Sequence, residues 1–136
     1  MTPSTGSLQP TPAEPTATPV LVFNKDLFFG VTITNTLKAL GYASRPVRSA
    51  DSLKATLVAH PEAALVIVDI AAVDDWDALK TALSSASEIP AIAFGSHTNV
   101  EGLRSAKQIG MTRVFSNGEF HRTMGDTITR YARPRN

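Results

Sequence analysis

The stretch ALVIVDIAAVDDW, residues 64–76, holds the carboxylate best placed to do chemistry. Five apolar residues, Ala64 to Val68, run unbroken into Asp69. A short continuous apolar run suits a strand buried on both faces, so Asp69 stands where that strand gives way to a loop. It is either a working group or an architectural one. Other reactive residues are sparse. There is no cysteine, which excludes a disulfide framework, a thiolate metal site and a cysteine nucleophile. His60, His97 and His121 are scattered without ligand spacing, so no metal site is expected. Asp74, Asp75 and Asp77 crowd around Trp76. They read as negative charge at a helix N-terminus, where the helix dipole favours it, with a cation or partner site as the alternative. Trp76 reads as a cover for the end of the core.

Composition narrows the partners. The chain of 136 residues is long enough for one domain with a full core. A net charge of +1 argues for neither a nucleic-acid nor a membrane partner. No apolar run approaches the ~20 residues that cross a bilayer.

The elements that position Asp69 follow from periodicity. Residues 1–18 hold four prolines, many Ser and Thr and one charge, Glu14, and read as a flexible tail with a weak proline-rich ligand motif, PTPAEP. From Pro19 to residue 132 the pattern is regular. Strands are predicted at 20–23, 42–49, 64–69, 91–94 and 112–116. Helices are predicted in 26–41, 51–60, 74–85, 99–110 and 120–132. In the first helix Phe29, Ile33, Leu37 and Leu40 recur at helical spacing, Asp26 caps the start and Gly41 closes the end. Residues 133–136 are a basic end in which Arg133 and Arg135, with Arg130 before them, are expected to be solvated.

Five strands alternating with five helices imply an α/β fold, a flavodoxin-like three-layer sandwich on a five-stranded parallel sheet. The order 2-1-3-4-5 puts the second strand at an edge, as Pro46 requires, because proline cannot donate to a ladder. Function in such a sheet sits at the carboxyl ends of the strands. The residues there are Asn24, Lys25 and Asp26, then Asp69, then Gly95 and Ser96, then Asn117.

Residues 19–132 resemble the receiver domain of two-component response regulators. The resemblance rests on LKALGY closing the first helix, ALVIVD ending in an acid, IPAIAF as the fourth strand and QIGMTRVFS leading into the fifth. It implies a cytoplasmic bacterial signalling or phosphorelay setting. It also implies aspartyl phosphorylation supported by an acidic pair holding magnesium, a hydroxyl after the fourth strand and a lysine after the fifth. Asp69 matches the phosphoacceptor position. The acidic pair falls on Asn24 and Lys25, with Asp26 one residue late. The hydroxyl falls on Gly95, with Ser96 one residue late, the lysine on Asn117, and the switch aromatic of the fifth strand on Val114. Magnesium binding is therefore expected to be weak or absent, since hard oxygen ligands are what that ion requires.

Three roles for Asp69 stay open: an ion pair with Lys25, a solvated or backbone-bonded carboxylate, and a phosphoacceptor. No phosphate-binding glycine loop, nucleophile elbow or Asp-x-His-x-x-Gly run appears, so an enzyme is not expected. Direct DNA binding is not expected either, since no second helical domain follows. The reading is a stand-alone pseudo-receiver that acts by protein–protein contact, with an atypical receiver phosphorylated at Asp69 as the alternative. A third reading is a structural module whose signal lies in the proline-rich tail. By the resemblance, partner contacts and homodimers use the face of the fourth helix, fifth strand and fifth helix, here Val100, Leu103, Arg104, Val114, Asn117, Phe120 and Arg130.

Overall fold

A computed structural model describes residues 17–134. Five strands alternate with five helices: β1 Thr18–Phe23, α1 Leu27–Ala39, β2 Tyr42–Val47, α2 Ala50–Ala59, β3 Leu65–Asp69, α3 Trp76–Ser84, β4 Ala91–Gly95, α4 Val100–Gln108, β5 Arg113–Ser116 and α5 Asn117–Tyr131, with a short 3-10 turn at Ile70–Ala72 after β3. The sheet is parallel and its order is β2-β1-β3-β4-β5. Pro46 lies on the edge strand, opposite Val22 of β1.

The unbroken apolar strands split their side chains between two cores with the period of two that a strand imposes. Leu21 and Phe23 of β1, Val66 and Val68 of β3, and Ala91 and Ala93 of β4 join Leu53 and Leu57 of α2, Leu79 of α3 and Ala106 of α4. Val20 and Val22, Leu65 and Ile67, and Ile92 and Phe94 join Ile33 and Leu37 of α1 and Phe120, Met124 and Ile128 of α5. Three helices thus cover one face of the sheet and two cover the other. Each fully buried Leu or Ile contributes about 1.5–3 kcal/mol relative to exposure.

Side chains start every helix. Asp26, Ser49, Asp75, Asn99 and Ser116 accept from the backbone N–H three residues on. Each satisfies a donor that a helix N-terminus leaves open. Gly41 after α1 has φ 87° and Gly110 after α4 has φ 91°, the left-handed conformation that lets the chain leave a helix for a strand.

Several boundaries differ from expectation, among them the end of β2 at Val47 rather than residue 49 and the start of α3 at Trp76 rather than residue 74. Residues 1–16 of the expected tail lie outside the described residues, but Thr18 is already the first residue of β1, paired with Tyr42. Helix α5 starts at Asn117 rather than at residue 120, because Ser116 caps it by accepting from Glu119 N at 3.1 Å. Arg133 is not solvated. Its backbone N–H donates to Ala64 O at 2.8 Å, and its guanidinium donates to Ala63 O and, at 2.7 Å, to Pro61 O. It ties the end of the chain to the segment that enters β3. Arg135 lies outside the described residues.

Candidate functional site

Strand order brings the ends of β1, β3, β4 and β5 to one rim. A pocket of about 320 Å³ opens there, lined by Lys25, Asp26, Phe29, Asp69, Ala71, Phe94 and Asn117. Four of the expected residues therefore share it: Lys25, Asp26, Asp69 and Asn117. Asn24, Gly95 and Ser96 do not line it.

Asp69 is only 6 % exposed. Its carboxylate caps the following 3-10 turn, accepting from Ala71 N at 3.1 Å. Burial pushes its pKa above the ordinary carboxylate value. The backbone N–H groups of Ala71 and Lys25 pull the other way, and the neighbouring charges of Asp26 and Lys25 act in opposite directions. The ion pair with Lys25 does not form. Lys25 Nζ lies 3.6 Å from Asp74 Oδ2, and both side chains are largely solvated. The exposed lysine pairs with an exposed carboxylate while keeping much of its water, whereas pairing with buried Asp69 would desolvate the ammonium. Of the three roles left open, the backbone-bonded one has a partner in the structure, Ala71 N–H, and the Lys25 ion pair has none.

The remaining polar groups are spent on local structure. The Asn24 side chain accepts from Asp26 N at 3.1 Å and donates to Asp26 O at 2.7 Å. Asp26 caps α1 through Phe29 N at 3.1 Å. The Ser96 hydroxyl bonds the Thr98 hydroxyl at 2.8 Å and accepts from Thr98 N at 3.2 Å, which folds the loop before α4. Asp75 caps α3, so of the three crowded aspartates only Asp74 serves a partner side chain.

At Gly95 the structure shows what the sequence hid. A Cβ there would meet Ile70 Cβ and Cδ1 at 3.0 Å. On α4, a Cβ at Gly102 would meet Ile70 Cγ2 at 2.6 Å and Asn99 Nδ2 at 2.5 Å. Ile70, 3 % exposed, fills the space above the end of β4 and seats α4 against the 3-10 turn. The only signal in sequence was a pair of glycines at the end of a strand and inside a helix. Phe29 and Phe94 line the pocket with their rings tilted at 39° and centroids 4.8 Å apart, and Phe120 stacks on Phe94 from below at 4.7 Å. Phe120 is fully buried there, so it is a core residue and not part of an exposed interaction face. On that face Val100 and Arg104 are exposed, Leu103, Val114 and Asn117 are partly buried, and Arg130 is exposed and lies over the Tyr131 ring.

The donor set does not fit magnesium. That ion demands near-octahedral oxygen coordination. Here the Asp26 carboxylate caps a helix, the Asn24 oxygen closes a turn, and Lys25 brings a positive charge beside them. Among the described residues no group of three or more His, Cys, Asp or Glu could hold a metal ion.

The receiver domain of NtrX from Brucella abortus superposes with a TM-score of 0.70 at 21% identity, covering 82% of this chain and 96% of that one. The chemotaxis protein CheY4 of Vibrio cholerae gives a TM-score of 0.67 at 16% identity, covering 85% and 98%. The fold is that of a CheY-like receiver. Against NtrX of Brucella abortus in complex with ADP, 22% identical with a TM-score of 0.70, 85% of this chain matches and spans only 26% of that protein. No family model and no curated protein matches the sequence. The likeness is one of fold, and at the rim of that fold Lys25, Asp26, Asp69 and Asn117 share one pocket.

Proposed function

We propose that the chain is a pseudo-receiver: a signalling module of receiver fold, read by a protein partner without phosphoryl transfer to Asp69. The observation that carries this reading is Ile70. Phosphoryl transfer is catalysed almost entirely by positioning and charge stabilisation. A receiver pocket calls for a hydroxyl at the end of β4 to hold a phosphoryl oxygen; that position is Gly95, and a Cβ on it would press on Ile70 at 3.0 Å, so the isoleucine would have to give way. The same isoleucine packs on Gly102 and so seats α4 in one position.

A face held in one state is recognised constitutively, since a ligand shifts an equilibrium only when two states differ in affinity for it. The exposed part of the α4–β5–α5 face, Val100, Arg104 and Arg130 with Leu103, Val114 and Asn117 partly buried among them, is the surface assigned to that partner. Apolar residues with arginine at the margin are the composition of a protein-binding patch.

The test is an amide NMR titration with magnesium, then with magnesium and beryllofluoride, a mimic of the acyl phosphate. The expected result is no saturable shift at Asn24, Asp69, Gly95 or Val114 up to about 10 mM magnesium, a concentration far above the affinity of a working carboxylate site. Saturable shifts at all four residues, spreading into β5, would show a working phosphoacceptor and overturn the reading.

A further inference from the structure

The two-helix face of the sheet leaves a second surface. Helix α1 meets the edge strand β2 through Thr34 and Ser44, whose hydroxyls are 3.5 Å apart, and beside that contact Ser44 and Pro46 of β2, with Arg48 just after it, face a recess. A groove of about 390 Å³ runs between α1 and this edge, with Val22 and Gly30 among its lining. Leu27 and Val31 form its α1 wall and, with Phe28 next to them, are 84 %, 59 % and 89 % exposed respectively. The other exposed large apolar residues, Val58 and Val100, stand on separate helices. Scattered apolar residues need no explanation, but three within five residues of one helix do.

We infer that this face is a homodimer interface, in which α1 of each copy lays Leu27, Phe28 and Val31 against the groove of the other. Three observations favour a second copy as the occupant. Leu27 and Val31 are four apart and Phe28 and Val31 three apart, the anchor spacing of a helix lying in a groove. Protruding anchors and recessed groove belong to one patch, as a two-fold interface requires, because the same surface must meet itself. The rim carries both signs of charge, Lys25 and Arg48 with Asp26, which suits self-pairing rather than an anionic surface. The inference does not depend on the chemistry of the Asp69 pocket.

Sedimentation velocity on the full chain, from about 10 μM to about 500 μM, tests it over the range where small interfaces dissociate. The expected result is a concentration-dependent monomer–dimer equilibrium. Phe28→Glu should raise its Kd at least about thirtyfold, the loss typical of a central aromatic anchor. Thermal melting at the dilute end of the series, where the monomer prevails, should be unchanged, since Phe28 is almost wholly exposed in the single chain. Val58→Glu on α2 should leave the equilibrium untouched. A monomer throughout would overturn the inference. If in addition the Leu27–Val31 amides shift when residues 1–16 are removed, the occupant is the N-terminal segment. A dimer insensitive to Phe28→Glu but lost with Val100→Glu would also overturn it and place self-association on α4.

Discussion

Ile70 Cγ2 stands 2.6 Å from the point where a Cβ on Gly102 would lie. Real contacts of that kind do not occur, so α4 sits where it does only because residue 102 is glycine. Gly102→Ala gains helix propensity worth up to ~1 kcal/mol but must displace Ile70, which is buried, and the Asn99 amide, which caps α4. Overpacking of this sort costs about 1–3 kcal/mol. Net destabilisation in urea unfolding is expected. Adding Ile70→Ala should make the double variant less unstable than the sum of the singles, the signature of coupled neighbours. Strict additivity would show that the two residues do not touch.

Buried Asp69 makes stability fall with pH. Its folded pKa lies above the ordinary value of 3.8 because burial disfavours the charged form. Between the unfolded and folded values the native state holds more protons than the unfolded one, so stability drops as pH rises through that window. The contribution is fully present below the unfolded value and lost above the folded one. Asp69→Asn keeps an oxygen for Ala71 N–H and removes the buried charge. It should therefore melt no lower than the parent at pH 7, with its relative advantage gone near pH 3. A marked loss of stability at pH 7 would mean that the charge itself holds the loop.

Arg133 is a structural clasp. Its guanidinium donates to the carbonyls of Pro61 and Ala63, and its backbone to Ala64. Arg133→Ala should cost about 1–3 kcal/mol in chemical denaturation, as charged-group hydrogen bonds do. Arg133→Lys should recover little of this, because an ammonium lacks the planar fork that serves two carbonyls at once. Full rescue by lysine would reduce the clasp to simple charge.

The legible part of this molecule was periodic. Apolar runs, alternation of strand and helix, Pro46 on an edge and Asp26 as a cap all followed from local rules, and the sheet order followed from them. What escaped was pairwise and long-range. Lys25 paired with Asp74 rather than Asp69 because burial, which sequence spacing does not reveal, decides whether an ion pair forms. Arg133 looked like a solvated end because its acceptors lie some seventy residues away. Phe120 came to the partner face through the receiver resemblance alone; its ring partners, Phe94 and Phe115, come from other elements and hold it in the core. The start of α5 was readable: Ser116 followed three residues later by Glu119 is a helix-start pattern.

Rebuilding the receiver pocket separates missing ligands from missing space. Asn24→Asp, Lys25→Asp, Gly95→Ser and Asn117→Lys together supply the acidic pair, hydroxyl and lysine that the receiver resemblance calls for. With Ile70 in place, a side chain at residue 95 meets its Cβ and Cδ1 at 3.0 Å, and either the strand end or the isoleucine must shift. The fourfold variant is therefore expected to stay silent to magnesium and beryllofluoride by amide NMR. Adding Ile70→Ala opens room for the serine hydroxyl, though the cavity costs about 2–5 kcal/mol of stability, and saturable binding should appear. Binding in the fourfold variant with Ile70 intact would show that ligand chemistry alone was lost. Silence in the fivefold variant, with a dispersed spectrum, would show that some further feature, such as the Ala71 backbone held by Asp69, closes the pocket.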